Sequence, residues 1–140
     1  LVVEKATELG VSHIIPIATE RTVKANLNFY RLNRLAIEAT EQSGRISPPE
    51  IHEIMDLKEA IVHAKANCDQ MLFGHIAEEN PSDAFETKCK IALFIGPEGG
   101  WTEAEATLLA SDGIQPISLG QFVLRAETAA IVGVGKLISI

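Results

Sequence analysis

The sequence predicts one α/β domain, a mostly parallel sheet with helices on both faces. Three observations carry this. Strand-like runs alternate with amphipathic helical stretches along the whole chain, the pattern of a sheet built from crossover connections. The central strand candidates, 70–74 and 91–95, are apolar runs, as expected of strands covered on both sides. A length of 140 residues with 46% hydrophobic content suffices for one substantial core and is too short for two ordinary domains.

Each element has a local reason. Residues 2–9 read as a helix with Val3, Ala6 and Leu9 on one face, stopped by Gly10. Residues 11–18 read as a strand in which Pro16 marks an edge or an irregular end. A polar loop over 19–28 holds Glu20-Arg21-Thr22 and leads into a helix over 29–42. Leu32, Leu35, Ala36 and Ala39 give that helix its apolar stripe, and Gly44 ends it. Pro48-Pro49 precedes a short strand at 50–54, and Asp56 caps a helix over 57–66 with Glu59 in support. After the 70–74 strand comes a polar connection, 78–88, containing Pro81. The 91–95 strand hands over to a helix at 102–110, where Thr102 and Glu105 form a capping box. A last strand at 114–119 precedes a final helix from about 127 to 138. No internal repeat, linker or low-complexity segment interrupts this order.

Composition narrows the function classes. No apolar run approaches the roughly 18 residues needed to span a membrane, and no basic-then-apolar signal segment opens the chain. The chain begins on Leu1 and runs straight into a helical pattern, as expected of a piece of a longer protein. Cys68 and Cys89 form no C-x-x-C pair and suit reduced thiols in a cytoplasmic protein. Net charge is −7, which at face value opposes a nucleic-acid partner. The distribution softens that. Residues 1–50 carry 6 basic and 6 acidic residues, and Arg21, Lys24, Arg31, Arg34 and Arg45 make a modest basic zone broken only by Glu38 and Glu41. Charge clusters of this size are usually solvated surface.

Several standard sites are excluded. There is no G-x-S-x-G elbow and no H-E-x-x-H. His13, His52, His63 and His75 are scattered in sequence, so no metal is expected. Gly133-Val134-Gly135-Lys136 imitates the end of a phosphate-binding loop. Ala130 and Leu137 break that motif, and the segment reads as a helix packing through small residues. Two glycine-bearing loops remain, Phe94 to Trp101 and Ser118 to Ala130, each leaving a strand candidate. Ligands of open α/β sheets bind at such carboxyl ends, and glycines let the backbone approach them closely. Leu119, Leu124 and Ile95 are suited to clamp a flat apolar ring while backbone groups read its edge.

Five ordered motifs carry a specific resemblance: Glu4-Lys5-Ala6-Thr7-Glu8-Leu9-Gly10-Val11, Glu20-Arg21-Thr22, Glu38-Ala39-x-Glu41-Gln42-Ser43-Gly44-Arg45, Ile95-Gly96-Pro97-Glu98-Gly99-Gly100, and Leu119-Gly120-x-x-x-Leu124-Arg125-x-Glu127-Thr128-Ala129. With them the chain closely resembles, over essentially its whole length, the RsmE family of 16S ribosomal RNA (uracil-N3)-methyltransferases in the SPOUT superfamily. The resemblance implies a C-terminal trefoil knot, a rare exception to unknotted chains. It implies S-adenosylmethionine bent within that knot, held by Leu72, Gly74, Ile95, Gly96, Glu98, Gly99, Gly100, Leu119, Gly120, Leu124, Thr128 and Ala129. It also implies a homodimer whose site is completed by the second subunit, and a uridine of 16S rRNA in the small ribosomal subunit as substrate. A PUA-like RNA-binding domain would precede Leu1, and a fragment lacking it is expected to turn over weakly. Related SPOUT enzymes that methylate a ribose 2′-hydroxyl, and a non-catalytic dimeric nucleotide-binding module, are the alternatives.

Chemistry then suggests roles. Uracil N3–H is a weak acid and must lose its proton before or during attack. Arg125 is expected to stabilise the resulting charge on the carbonyls. Glu127 and Glu98 are candidate proton acceptors, with bulk solvent a third route. N3 lies on the pairing edge, so the base must be unpaired or flipped out. Arg21, Lys24 and Arg45 are the expected RNA phosphate contacts.

Overall fold

The computed structural model describes residues 1–22, 26–75 and 89–138. Among them the chain runs α1 (Val2–Glu8), β1 (His13–Ile14), β2 (Ile17–Ala18), α2 (Phe29–Ser43), β3 (Glu50–Ile51), β4 (Met55–Asp56), α3 (Leu57–Asn67), β5 (Gln70–His75), β6 (Ile91–Phe94), α4 (Glu103–Ser111), β7 (Gln115–Ser118) and α5 (Ala126–Ile138). Every strand pair is parallel: β1 with β3, β2 with β4, and a three-stranded ladder in the order β6-β5-β7. The α/β class and the parallel sheet expected from sequence are therefore present.

One expected strand is divided and another shortened. The stretch 11–18 splits into β1 and β2, and the stretch 50–54 keeps only β3, with β4 beyond it as a strand the sequence did not suggest. Pro16 lacks an N–H and cannot donate to a ladder, so pairing breaks there. The register shifts across the gap, because Ile15 and Pro16 face the longer insert His52-Glu53-Ile54. Pairing resumes where Met55 N donates to Pro16 O at 3.0 Å. Asp56 then ends β4 and caps α3, its Oδ1 accepting from Glu59 N at 2.8 Å.

The helix ends follow the expected chemistry. Asn28 caps α2 through Arg31 N, and Gly44 closes it with φ +77°. The box before α4 is complete, with Glu105 N donating to Thr102 Oγ1 at 3.1 Å and Thr102 N to Glu105 Oε1 at 2.9 Å.

Strand alternation sorts the core into two layers. Phe73 of β5 and Phe94 of β6 point one way, packing with Leu57, Ala60, Ile61 and Ala64 of α3 and Leu109 of α4. Leu93 and Ile95 point the other way, beneath Gly133 of α5. A Cβ at Gly133 would sit 2.7 Å from Leu93 Cδ2, so α5 lies on the sheet at a distance only glycine permits. The Gly133–Lys136 segment is thus helix packing. On this side α1 also packs against α2 and α5.

Candidate functional site

Parallel register brings the carboxyl ends of three strands together. Phe73 pairs with Phe94, and His75 with Ser118, so β5, β6 and β7 all end at one rim. The loops that leave β6 and β7 fold over that rim and enclose a cleft of about 210 Å³. This is below the roughly 300–1,000 Å³ of ordinary ligand pockets.

Trp101 organises the first loop. Its indole Nε1 donates to Gly74 O at 3.1 Å, tying the loop to the end of β5. Its ring covers Gly96, where a Cβ would come within 3.1 Å of it. The loop turns at Gly100, with φ +75° and Gly100 N donating to Pro97 O at 2.8 Å. Arg21 reaches in from the N-terminal half, its Nη1 donating to Gly99 O at 2.7 Å while its stem lies on Gly99. Beside it, Glu20 N donates to Glu105 Oε2 at 3.2 Å. Half-buried Ile95, Leu119 and Leu124 form apolar walls, and exposed Phe122 and Val123 form the rim. Gly120 lies in the second loop with φ +138° and open space where a side chain would begin.

Of the residues the sequence suggested for cofactor binding, Gly74, Ile95, Gly96, Glu98, Gly99, Gly100, Leu119, Gly120, Leu124 and Ala129 line this cleft. Leu72 does not; it is buried earlier on β5. Thr128 is an exposed residue of α5 outside the lining. Arg125 and Glu127 also lie outside it, flanking Ala126 where α5 begins. Glu127 is half-buried and Arg125 exposed, with Arg125 O accepting from Ala129 N at 2.8 Å. His75, Trp101, Phe122, Val123 and Ala126 line the cleft without having been singled out. Trp101, Phe122, Val123 and Ala126 lie within the two glycine-bearing loops, and that placement was their only sequence signal.

The expected RNA-contacting cations do not gather in one patch. Arg21 holds the first glycine loop. Arg45 is partly buried, its Nη1 donating to Thr7 O at 2.9 Å and Val11 O at 3.0 Å. Both guanidinium groups therefore serve backbone carbonyls. Lys24 lies outside the described residues.

The expectation that the histidines are scattered needs correction. His13 Nδ1 and His52 Nε2 are 3.0 Å apart, and the rings of His52 and His63 pack edge-on with centroids 5.0 Å apart. Glu50 Oε2 lies 3.5 Å from His13 Nδ1. Only His75 stands apart, at the cleft. No helix among the described residues is long and apolar enough to cross a membrane.

A model of the RNA methyltransferase domain family matches residues 1–138. The chain is 39% identical to ribosomal RNA small subunit methyltransferase E of Rickettsia conorii, over 97% of this chain and 57% of that protein. Two solved structures are close in fold. One, from Legionella pneumophila and described as a methyltransferase in complex with bound S-adenosylmethionine, has a TM-score of 0.87 and 34% identity, covering 97% of this chain and 58% of that one. The other is ribosomal RNA small subunit methyltransferase E of Neisseria gonorrhoeae bound to S-adenosylmethionine, with a TM-score of 0.82 and 33% identity, covering 96% of this chain and 57% of that one. The chain thus spans a little over half the length of these relatives.

Proposed function

Since the chain belongs to the RNA methyltransferase domain family, we propose that it is the catalytic domain of an S-adenosylmethionine-dependent enzyme that methylates N3 of a uridine in 16S rRNA of the small ribosomal subunit. One observation carries this reading: the two glycine loops converge in a single cleft at the carboxyl ends of parallel strands. The relatives bound to S-adenosylmethionine support it.

The cleft's residues fit such a donor. Ile95, Leu119 and Leu124 would hold a flat ring between apolar walls. Backbone groups of the two loops would read its polar edge, and Gly100 and Gly120 leave open space where side chains would intrude. When bound, S-adenosylmethionine supplies an electrophilic methyl group on a sulfonium. The protein's part is alignment and charge stabilisation. Arg125 stands just before α5, so its guanidinium and the positive end of the helix dipole together favour an anionic uracil. Glu127, in the first turn, and Glu98, on the first loop, are the proton acceptors of this reading. Arg21 reaches the donor side through the backbone of the first loop, its Nη1 donating to Gly99 O and, at 3.5 Å, to Trp101 O. Arg45 would contact rRNA with donors not used internally, since a guanidinium carries five N–H groups, and Lys24 is the third cation of this reading.

The same reading includes a homodimer in the cytoplasm and a C-terminal trefoil knot. In its support, α5 returns across β6 and β7, with Gly133 against Leu93 and Lys136 Nζ donating to Ser118 O at 3.2 Å. Phe122 and Val123 expose apolar surface beside a small cleft, which a second copy would cover.

Calorimetric titration of the folded chain with S-adenosylmethionine tests the donor site. The expected result is saturable binding that Gly99→Val abolishes, by displacing the Arg21 stem, and that Arg125→Ala retains. Binding unaffected by Gly99→Val would place the donor elsewhere.

A further inference from the structure

We propose that His13, Glu50 and His52 form a binding site for one divalent transition-metal ion of the zinc type, stapling β1 to β3. Strand geometry assembles it. His13 pairs with Glu50 across the parallel ladder, and His52 follows Glu50 by one pleat period, so the three side chains share a face. Their donor atoms converge: His13 Nδ1 to His52 Nε2 is 3.0 Å, Glu50 Oε2 to His13 Nδ1 is 3.5 Å, and Glu50 Oε1 to His52 Nε2 is 3.9 Å. All three ligand atoms lie within 4.8 Å of one another.

The spacing suits an ion. Zinc takes imidazole nitrogen and carboxylate oxygen at about 2.0–2.2 Å, which separates tetrahedral ligands by about 3.4 Å. Two nitrogens and one oxygen select a first-row transition metal, since calcium and magnesium prefer all-oxygen sites. The His52 side chain is only 14% exposed and its ring is held edge-on by His63, whereas the His13 and Glu50 side chains are 55% and 66% exposed. The site is thus anchored on its inner side and open to an incoming ion on the other, with a fourth position for water.

None of the three residues lines the cleft, so the ion's expected role is structural. The strands β1 and β3 have two residues each and gain most from a cross-link between distant parts of the chain.

The test uses untagged chain, stripped of metal with chelator and titrated with zinc chloride alone. One ion is expected to bind per chain at micromolar zinc, raising the melting temperature. His13→Gln, a change at an exposed position, should weaken binding at least about tenfold, since even outer-shell losses at metal sites cost about 10–100-fold. It should also remove the thermal shift, whereas Cys68→Ser with Cys89→Ser should leave both intact. Absence of binding at millimolar zinc, or stoichiometric binding unchanged by His13→Gln and by His52→Asn, would overturn the proposal.

Discussion

Gly74→Ala is a one-methyl test of how the cleft is built. Gly74 lies on β5, and a Cβ there would sit 2.9 Å from Leu119 Cδ1 and 3.2 Å from Ile95 Cδ1. Ordinary carbon–carbon contact is about 3.5–4.0 Å. The Leu119 methyl must therefore retreat by about 0.6–1.1 Å, and the Ile95 methyl by about half that or more. On the opposite side Leu119 Cδ2 and Ile95 Cδ1 lie 3.4 Å and 3.8 Å from where a Cβ of Gly133 on α5 would stand, so the glycine leaves only a shallow space there. Leu119 and Ile95 also line the cleft, and the displaced methyls are expected to move toward it. Overpacking costs about 1–3 kcal/mol, offset by about 0.5–1 kcal/mol for replacing glycine in a strand. The net loss of stability is then about 0–2.5 kcal/mol. Donor affinity should fall at least about tenfold, or about 1.4 kcal/mol. Calorimetry with S-adenosylmethionine reads the affinity, and a thermal melt reads the stability. Gly135→Ala is the control: it is also on α5, but its Cβ meets nothing within 4 Å. That variant should gain up to about 1 kcal/mol of helix propensity and bind normally. Unchanged affinity in Gly74→Ala would refute the assignment of Leu119 and Ile95 as cleft walls.

Three further outcomes follow from named contacts. Arg21→Lys keeps the charge but loses the guanidinium that reaches Gly99 O, so donor affinity should drop several-fold while RNA retention at low salt stays constant; the opposite pattern would identify Arg21 as a phosphate contact. Trp101→Phe removes the bond to Gly74 O and should cost about 1 kcal/mol in a denaturant melt. Because Trp101 is the sole tryptophan, its emission should also shift when donor fills the wild-type cleft. Burial, and next the neighbouring Asp69, push the Cys68 thiol above its ordinary value of 9.0, against an opposing effect of Lys90. The folded state thus holds this proton more tightly than the unfolded state. That stability is fully present below the ordinary value and lost as pH rises through it toward the folded value, so urea melts at about pH 8 and about pH 10 should show the decline, and Cys68→Ser should flatten it.

Much of this site was legible because its signals are local. Gly100 and Gly120 adopt positive φ in loops that leave apolar runs, and both features can be read without knowing the fold. The Thr102–Glu105 box was equally local. What was not legible depends on register. Pro16 announced an irregular strand, but only the pairing with Met55 explains where β2 and β4 lie. Likewise, His13 and His52 are far apart in the chain, and only the β1–β3 ladder brings them to 3.0 Å. For a related reason, a count of cations cannot show that Arg21 and Arg45 also donate to backbone carbonyls. Leu72 entered with the family resemblance, as part of the strand end, and a resemblance does not show that its side chain is buried.

The most direct test of the account is methyl transfer itself, measured on the full-length protein with isotope-labelled S-adenosylmethionine and small ribosomal subunits lacking the modification. Digestion of the rRNA to nucleosides should yield label in 3-methyluridine, and Arg125→Ala should lose that product while retaining donor binding. Label in a 2′-O-methylated nucleoside, or no transfer from a protein that binds the donor normally, would contradict it.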